Sequence, residues 1–383
     1  MSSVTIKKVE NRKDLENFIQ FHYDLYNDCP YEVPSLHSDE VRTLTPAKNA
    51  ASKFCDSQLF LAYKDGKIAG RVAAIINRRA NERWATKSVR FGWLDFIDDI
   101  EVSQKLLDAV GEWGKTQGME DMVGPLGYTD MDPEGMLTAG FNELGTMATL
   151  YNYDYYPKHI EQIGGFEKAN DYVEYNITIP EKLPERFVKI SEMVMKRYNY
   201  KIKKLKRSEI NKGDYGHKIF EIINTTYKDL FGYSEMTKEQ IDQYVKMYLP
   251  VIDLHFVTLI LDGNANDKII GVAISLPSLS KALQKCKNGR LFPTGWIHLL
   301  KALKLHDTEG IDLLLIGVLP EYKGKGVNAL FFYDLFVWYR KYNMKWAETQ
   351  VEMETNENVQ SQWDAFEKRL HKRRRCFKKS LIG

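Results

Sequence analysis

Cysteine is scarce in this chain, and the few cysteines do not cluster. The 383 residues hold four, Cys29, Cys55, Cys286 and Cys376, with no Cys-x-x-Cys pair and no Cys/His group at zinc spacing. That excludes a disulfide framework and the common structural zinc modules, and no metal site is expected. Scattered cysteines suit a reducing compartment. Long apolar runs are missing as well: no stretch approaches the roughly 20 residues of a membrane-crossing helix. The segment Met1–Val9 has no apolar signal core, so the expected location is the cytoplasm. A surplus of one charge is also absent. Lys and Arg number 54 against 52 Asp and Glu, a net charge of +2, so composition does not call for nucleic acid. The chain is 44% apolar and 28% charged, an ordinary globular mix, and domains of roughly 100–200 residues suggest two.

The sequence repeats itself loosely. Phe60-Leu61-Ala62-Tyr63 precedes Lys67-Ile68-Ala69-Gly70-Arg71-Val72-Ala73, and Phe256–Leu261 precedes Lys268-Ile269-Ile270-Gly271-Val272-Ala273. Both read as strand, tight turn, strand, with Lys-Ile-x-Gly in common. Each half opens with a short strand (4–7 and 201–204) and an amphipathic helix (14–27 and 216–231). Each later has a strand and a long helix, 91–97 with 102–117 and 311–319 with 327–342. A period of roughly 200 residues is too long for a solenoid. Two copies of one α/β domain are expected, 1–182 and 183–383, joined where Pro180 and Pro184 bracket Glu181-Lys182-Leu183.

Ile311–Leu319 is nearly all apolar and reads as a central strand ended by Pro320. Glu321-Tyr322-Lys323-Gly324-Lys325-Gly326 follows, and then an apolar, aromatic helix from Val327. Strand, glycine turn and helix N-terminus make an anion site: free amides and the helix dipole favour negative charge. Gly324 and Gly326 let backbone approach a phosphate, and Lys323 and Lys325 add positive charge. The spacing is neither a P-loop nor a dinucleotide fingerprint. The corresponding first-half loop, Ile97-Asp98-Asp99-Ile100-Glu101-Val102, has no glycine and three carboxylates, which would repel a pyrophosphate.

Val318–Val327 resembles motif A of the GNAT acyltransferases, Gln/Arg-x-x-Gly-x-Gly/Ala, with its glycines at Gly324 and Gly326. Glu321 stands where Gln or Arg is usual, removing one phosphate-facing side chain. Asn288–Trp296, this loop, Glu354-Thr355-Asn356 and the run His371–Lys379 occur in the order of a bacterial group of two-domain GNAT-like proteins of poorly defined substrate. The resemblance implies an α/β (α+β) fold of two tandem GNAT-like domains, each a mixed, mostly antiparallel twisted sheet flanked by helices. It implies acetyl-CoA or another acyl-CoA as cosubstrate, an amine acceptor and N-acyl transfer. Val318, Leu319, Tyr322, Lys323, Gly324, Lys325, Gly326, Val327 and Asn356 would hold the acyl-CoA. The amide of Val318 or Leu319, where the motif strand splays from 346–353, would bind the oxyanion.

Glu352 and Glu354 near that partner strand are candidate general bases, or else solvated carboxylates. Asn356 would meet the pantetheine arm or serve as an N-cap. The family's usual acid tyrosine is replaced by Trp363 and Phe366. The loop from Gly124 to Pro157, with Asp130, Asp132, Glu134 and, after Gly145, Tyr151, Tyr153, Tyr155 and Tyr156, either packs the halves together or holds an amine. The insertion 277–306 either walls the acceptor pocket or only packs. The basic tail 368–379 reads as a final strand, a grip on acidic groups, or a binder of nucleic acid or anionic surface. Two further readings compete with catalysis: a silent CoA-binding or regulatory protein of this fold, and an anionic-polymer binder acting through the tail.

Overall fold

The computed structural model describes residues 3–212, 214–248 and 251–382. Its strands in chain order are β1 (Thr5–Lys8), β2 (Cys55–Lys64), β3 (Lys67–Asn77), β4 (Ser88–Phe96), β5 (Asp121–Gly124), β6 (Met136–Ala139), β7 (Glu167–Thr178), β8 (Tyr200–Lys203), β9 (Val257–Asp262), β10 (Lys268–Pro277), β11 (Gly310–Val318), β12 (Trp346–Thr349), β13 (Glu352–Met353) and β14 (Lys368–Ser380). They form one sheet in the order β1-β2-β3-β4-β5-β14-β7-β12-β11-β10-β9-β8, with β13 on β7 and β6 on β14. Pairing is antiparallel except for β4 with β5 and β11 with β12. The expected class, a mostly antiparallel sheet with flanking helices, holds.

The two halves exchange their last strands. β14, from the end of the chain, lies beside β5 of the first half, and β7 lies beside β12 of the second. The seam is the long antiparallel pair of β7 with β14. This explains the basic tail. Lys372 and Arg374 are almost fully buried there, against the buried carboxylates of Glu174 and Glu348. Arg369, Arg373 and Arg375 pair with Glu143, Glu354 and Asp171. The tail's arginines are thus engaged with carboxylates of the chain itself, and the two buried cations are tolerated because they are so paired.

The repeated Lys-Ile-x-Gly has a packing cause. A Cβ on Gly70 would meet Leu106 Cδ1 at 2.7 Å and Val102 Cγ1 at 3.0 Å. A Cβ on Gly271 would meet Phe331 Cζ at 2.9 Å and Val327 Cγ1 at 3.2 Å. In both halves the glycine lets a long helix, Ile100–Thr116 or Val327–Lys341, settle onto the sheet. Each helix buries its stripe on its own core: Val102, Leu106 and Val110 with Phe60, Val72 and Phe91; Val327, Phe331 and Leu335 with Ile260 and Ile270. Truncating one such aromatic to Ala costs about 3–5 kcal/mol.

Candidate active site

β11 and β12 are paired only from Gly310–Leu313 to Trp346–Thr349. Beyond Leu313 β11 continues alone on that side, and the chain resumes pairing as β13 on β7. The result is a V-shaped gap with a bare strand edge. Antiparallel partners alternate between hydrogen-bonded and open pairs, so alternate amides of β11 face away from β10. Leu319 N donates to Ile270 O at 2.9 Å, which turns Val318 N toward the gap. Ile316 N, two residues back, also faces the gap and donates to Tyr227 Oη at 3.2 Å. Of the two amides expected to serve the oxyanion, that of Leu319 is thus committed to β10, and Val318 is the one left facing the gap.

The glycine turn continues from the gap. Gly324 (φ +74°) and Gly326 (φ +76°) both adopt the left-handed backbone that suits glycine. Lys323, Gly324 and Lys325 are exposed, and a Cβ on Gly324 would meet nothing within 4 Å. Gly326 caps the helix Val327–Lys341 with no side-chain hydrogen bond, leaving first-turn amides uncapped. Glu321 is turned out to Lys268, 2.9 Å away, which holds its carboxyl below the usual range. It therefore does not face an anion at the turn. Tyr322 is anchored by a hydrogen bond to Asp262 Oδ2 at 2.9 Å, and Lys325 lies over its ring.

Gap and turn open into one cavity of about 1810 Å³, walled by both halves and mainly by apolar side chains. Glu352 lies in its wall. One carboxylate oxygen accepts from Trp363 Nε1 at 2.9 Å; the other is buried without a partner. Burial pushes its carboxyl up to about 7. Trp363 thus orients a carboxyl. Glu354 is exposed, paired with Arg373 at 2.6 Å, and is not part of the cavity wall, so the two candidate carboxylates are not brought together. Asn356 lines the cavity; it is the N-cap of Glu357–Gln360, but its side chain makes no capping bond.

Tyr227, which no sequence signal singles out, also lines the cavity. It ends the helix Tyr215–Tyr227, and its hydroxyl accepts from Ile316 N in the gap. Burial first, and the charge of Glu352, push that hydroxyl up to about 12, so it stays protonated and able to donate. A tyrosine at the end of an amphipathic helix reads as core; only the splay of a distant strand gives it a role. The first-half loop 124–136 also reaches the cavity, through Asp130, Asp132 and Glu134. Burial pushes Asp132 up to about 6 and Glu134 up to about 8. Tyr172, which opposes Met353 across β7–β13, donates to Glu134 at 3.1 Å.

Among the described residues one group has metal-ligand geometry, Glu174, Glu348 and His371, all buried. Lys372 already lies against both of those carboxylates and Arg374 against Glu174. The donors thus face cations of the chain itself.

No protein-family model matches the chain. Protein YghO of Escherichia coli (strain K12) is 27% identical over 387 residues, covering 97% of this chain and 94% of that protein. The bacterial ceramide synthase of Caulobacter vibrioides (strain NA1000 / CB15N) is 26% identical over 335 residues, covering 84% and 82%. Among solved structures, a tandem GNAT protein from the clavulanic acid biosynthesis pathway superposes with a TM-score of 0.56 at 9% identity, over 100% of this chain and 99% of that one. A GCN5-related glucosamine N-acetyltransferase region of a fungal multi-domain protein gives 0.56 at 12% identity, over 99% of this chain and 38% of that one. Together these likenesses show a tandem GNAT-like fold, an acyltransferase fold.

Proposed function

We propose that this chain is an N-acyltransferase that moves a long acyl group from acyl-CoA to an amine in the cytoplasm, with 1–182 as the substrate-shaping copy and 183–383 as the acyl-CoA-binding copy. The observation that carries the reading is the continuity of three features. A glycine turn exposed at Lys323–Lys325, with Gly326 packed against Val194 and Ile190, suits a diphosphate, a bare strand edge suits a thioester carbonyl, and an apolar cavity of about 1810 Å³ suits hydrocarbon. The wall also includes Leu299, Leu300 and Leu303, away from the gap and the turn, apolar surface that suits an acyl chain longer than acetyl. The name of one relative, bacterial ceramide synthase, points the same way, because a ceramide is a long-chain amine carrying an amide-linked acyl chain.

In this reading the acyl-CoA pyrophosphate rests on Lys323, Gly324, Lys325, Gly326 and Val327, beside Tyr322, with Asn356 on the pantetheine arm. The thioester carbonyl accepts hydrogen bonds from Val318 N–H and from Tyr227 O–H, whose oxygen is held by Ile316 N–H. The amine nitrogen attacks the carbonyl carbon, Glu352 takes the amine proton, the C–S bond breaks, and CoA leaves as a thiolate. Glu352 titrating near 7 suits a base working near neutrality. The acceptor would meet Asp130, Asp132 and Glu134 on the facing wall, and its nitrogen attacks as the neutral amine, having first given its ammonium proton to solvent.

The test is thioester turnover with acyl-CoAs of increasing chain length against a panel of long-chain and short amines. Release of free CoA with amide formation, faster for long chains, is the expected result. The outward turn of Glu321 gives the silent CoA-binding protein its support; acyl-CoA binding without turnover across the whole panel would establish that reading instead.

A further inference from the structure

One surface lies apart from the strand gap and the glycine turn and differs in charge from the rest of the molecule. Residues 281–306 hold six lysines and arginines and no aspartate or glutamate. Within them the helix Gly295–Lys304 packs one face, Leu299, Ala302 and Leu303, into a small core beneath. Its other face stays bare: Trp296 is 44% exposed and Leu300 47% exposed. Phe292 just before the helix and Leu305 just after it are 77% and 72% exposed. Lys301 and Lys304 stand beside this apolar face, with Lys285 and Lys287 on the preceding segment, all exposed. Among the described residues none of these four lysines has a carboxylate within ion-pair distance, whereas most basic residues of β14 do.

We infer that this face docks the protein on an anionic lipid bilayer, with Phe292, Trp296, Leu300 and Leu305 entering the headgroup boundary and the lysines meeting lipid phosphates. An apolar helix face with a basic flank is the pattern of interfacial helices. Charge decides between occupants. A second copy of this chain would bring the same uncompensated lysines face to face, whereas a phosphate-bearing surface neutralises them. The position fits as well. Trp296, Leu299, Leu300 and Lys304 line the same cavity as Gly324 and Gly326, so the docking face borders the apolar cavity. A long-chain substrate would then pass from bilayer to cavity without crossing water, which otherwise costs about 0.8 kcal/mol per CH₂.

This docking role goes beyond the acyl-transfer reading and is tested on the full chain without an acyl donor, so either can fail alone. The protein is sedimented with phosphatidylcholine vesicles and with vesicles containing phosphatidylglycerol. Binding is expected to the anionic vesicles and to be weakened by salt. Lys301→Glu with Lys304→Glu is expected to lower partitioning at least about 20-fold. Phe292→Ser with Leu305→Ser should lower it about tenfold. All four side chains are exposed, so these variants should melt with the parent. Brominated lipid should quench tryptophan emission in the parent, and less so in Trp296→Phe. Absence of binding to anionic vesicles overturns the inference. So does equal binding by the variants, unchanged quenching in Trp296→Phe, or capture of an acidic carrier protein without vesicle binding.

Discussion

Counting back three residues from the matched valines, Val102 and Val327, reaches Asp99 in one half and Gly324 in the other. Both stand before a long helix packed on the sheet by a strand glycine. Asp99 Oδ1 accepts from Glu101 N at 3.0 Å and Val102 N at 3.4 Å, and Asp99 also pairs with Lys64. Its carboxyl is held below the usual range, chiefly by that lysine. The first helix therefore carries its own anion. In the second half the same place has no side chain, and the helix has no side-chain cap. A similar contrast holds in the gap. In the first half Phe96 N donates to Tyr156 Oη at 3.1 Å, and that hydroxyl is locked among Tyr26 and Asp95. In the second, Ile316 N meets Tyr227 Oη, which is bordered by the cavity and by Glu352. One framework thus gives a closed, self-satisfied copy and an open one.

The comparison breaks most severely at Gly324. Gly324→Glu places a carboxylate where Asp99 stands and should weaken acyl-CoA binding at least ~100-fold, through lost charge-assisted bonds and repulsion. Melting curves with and without acyl-CoA would show it as a lost ligand shift; a retained shift would mean the turn holds no phosphate. Next is Glu352→Gln, expected to lower kcat by roughly 100- to 1,000-fold. The parent's kcat/KM should rise with pH through about 7, because the base must be ionised, and that limb should vanish in the variant.

Tyr227→Phe is smaller still: kcat about 10- to 100-fold lower, with KM for acyl-CoA little changed. An equal loss in KM would point to a packing role. Smallest is Asp99→Ala, which should cost about 1 kcal/mol of stability through the lost N-cap, measured by denaturant melts, and leave acyl-CoA kinetics alone. A kinetic effect there would show that the first half binds the cosubstrate after all.

Much of the fold was legible because its signals are local. The strand of the motif, its glycine turn and the long helix after it lie within a residue or two of Gly310–Val318 and Val327–Lys341. The Lys-Ile-x-Gly repeat pointed to the matched hairpins, since a glycine under a helix leaves a mark in each copy. Tyr227 was hidden because it looks like any core tyrosine. Glu352 and Glu354 were indistinguishable, two residues apart on an extended segment, until one was seen against Trp363 and the other against Arg373. The charged tail left three readings open because a strand of paired cations and a strand of free ones are written alike.

By itself the sequence determined the motif strand, the long helix after it, the repeated hairpin pattern and the place of the glycine turn, all set by periodicity, turn chemistry and the missing Cβ atoms. Tertiary structure alone decided that β14 and β7 trade places, that Glu352 rather than Glu354 faces the cavity, and that Tyr227 enters the gap. Those outcomes depend on which distant carboxylate, amide or strand edge a group meets. Such encounters are fixed by packing between segments far apart in the chain, and no local pattern records them.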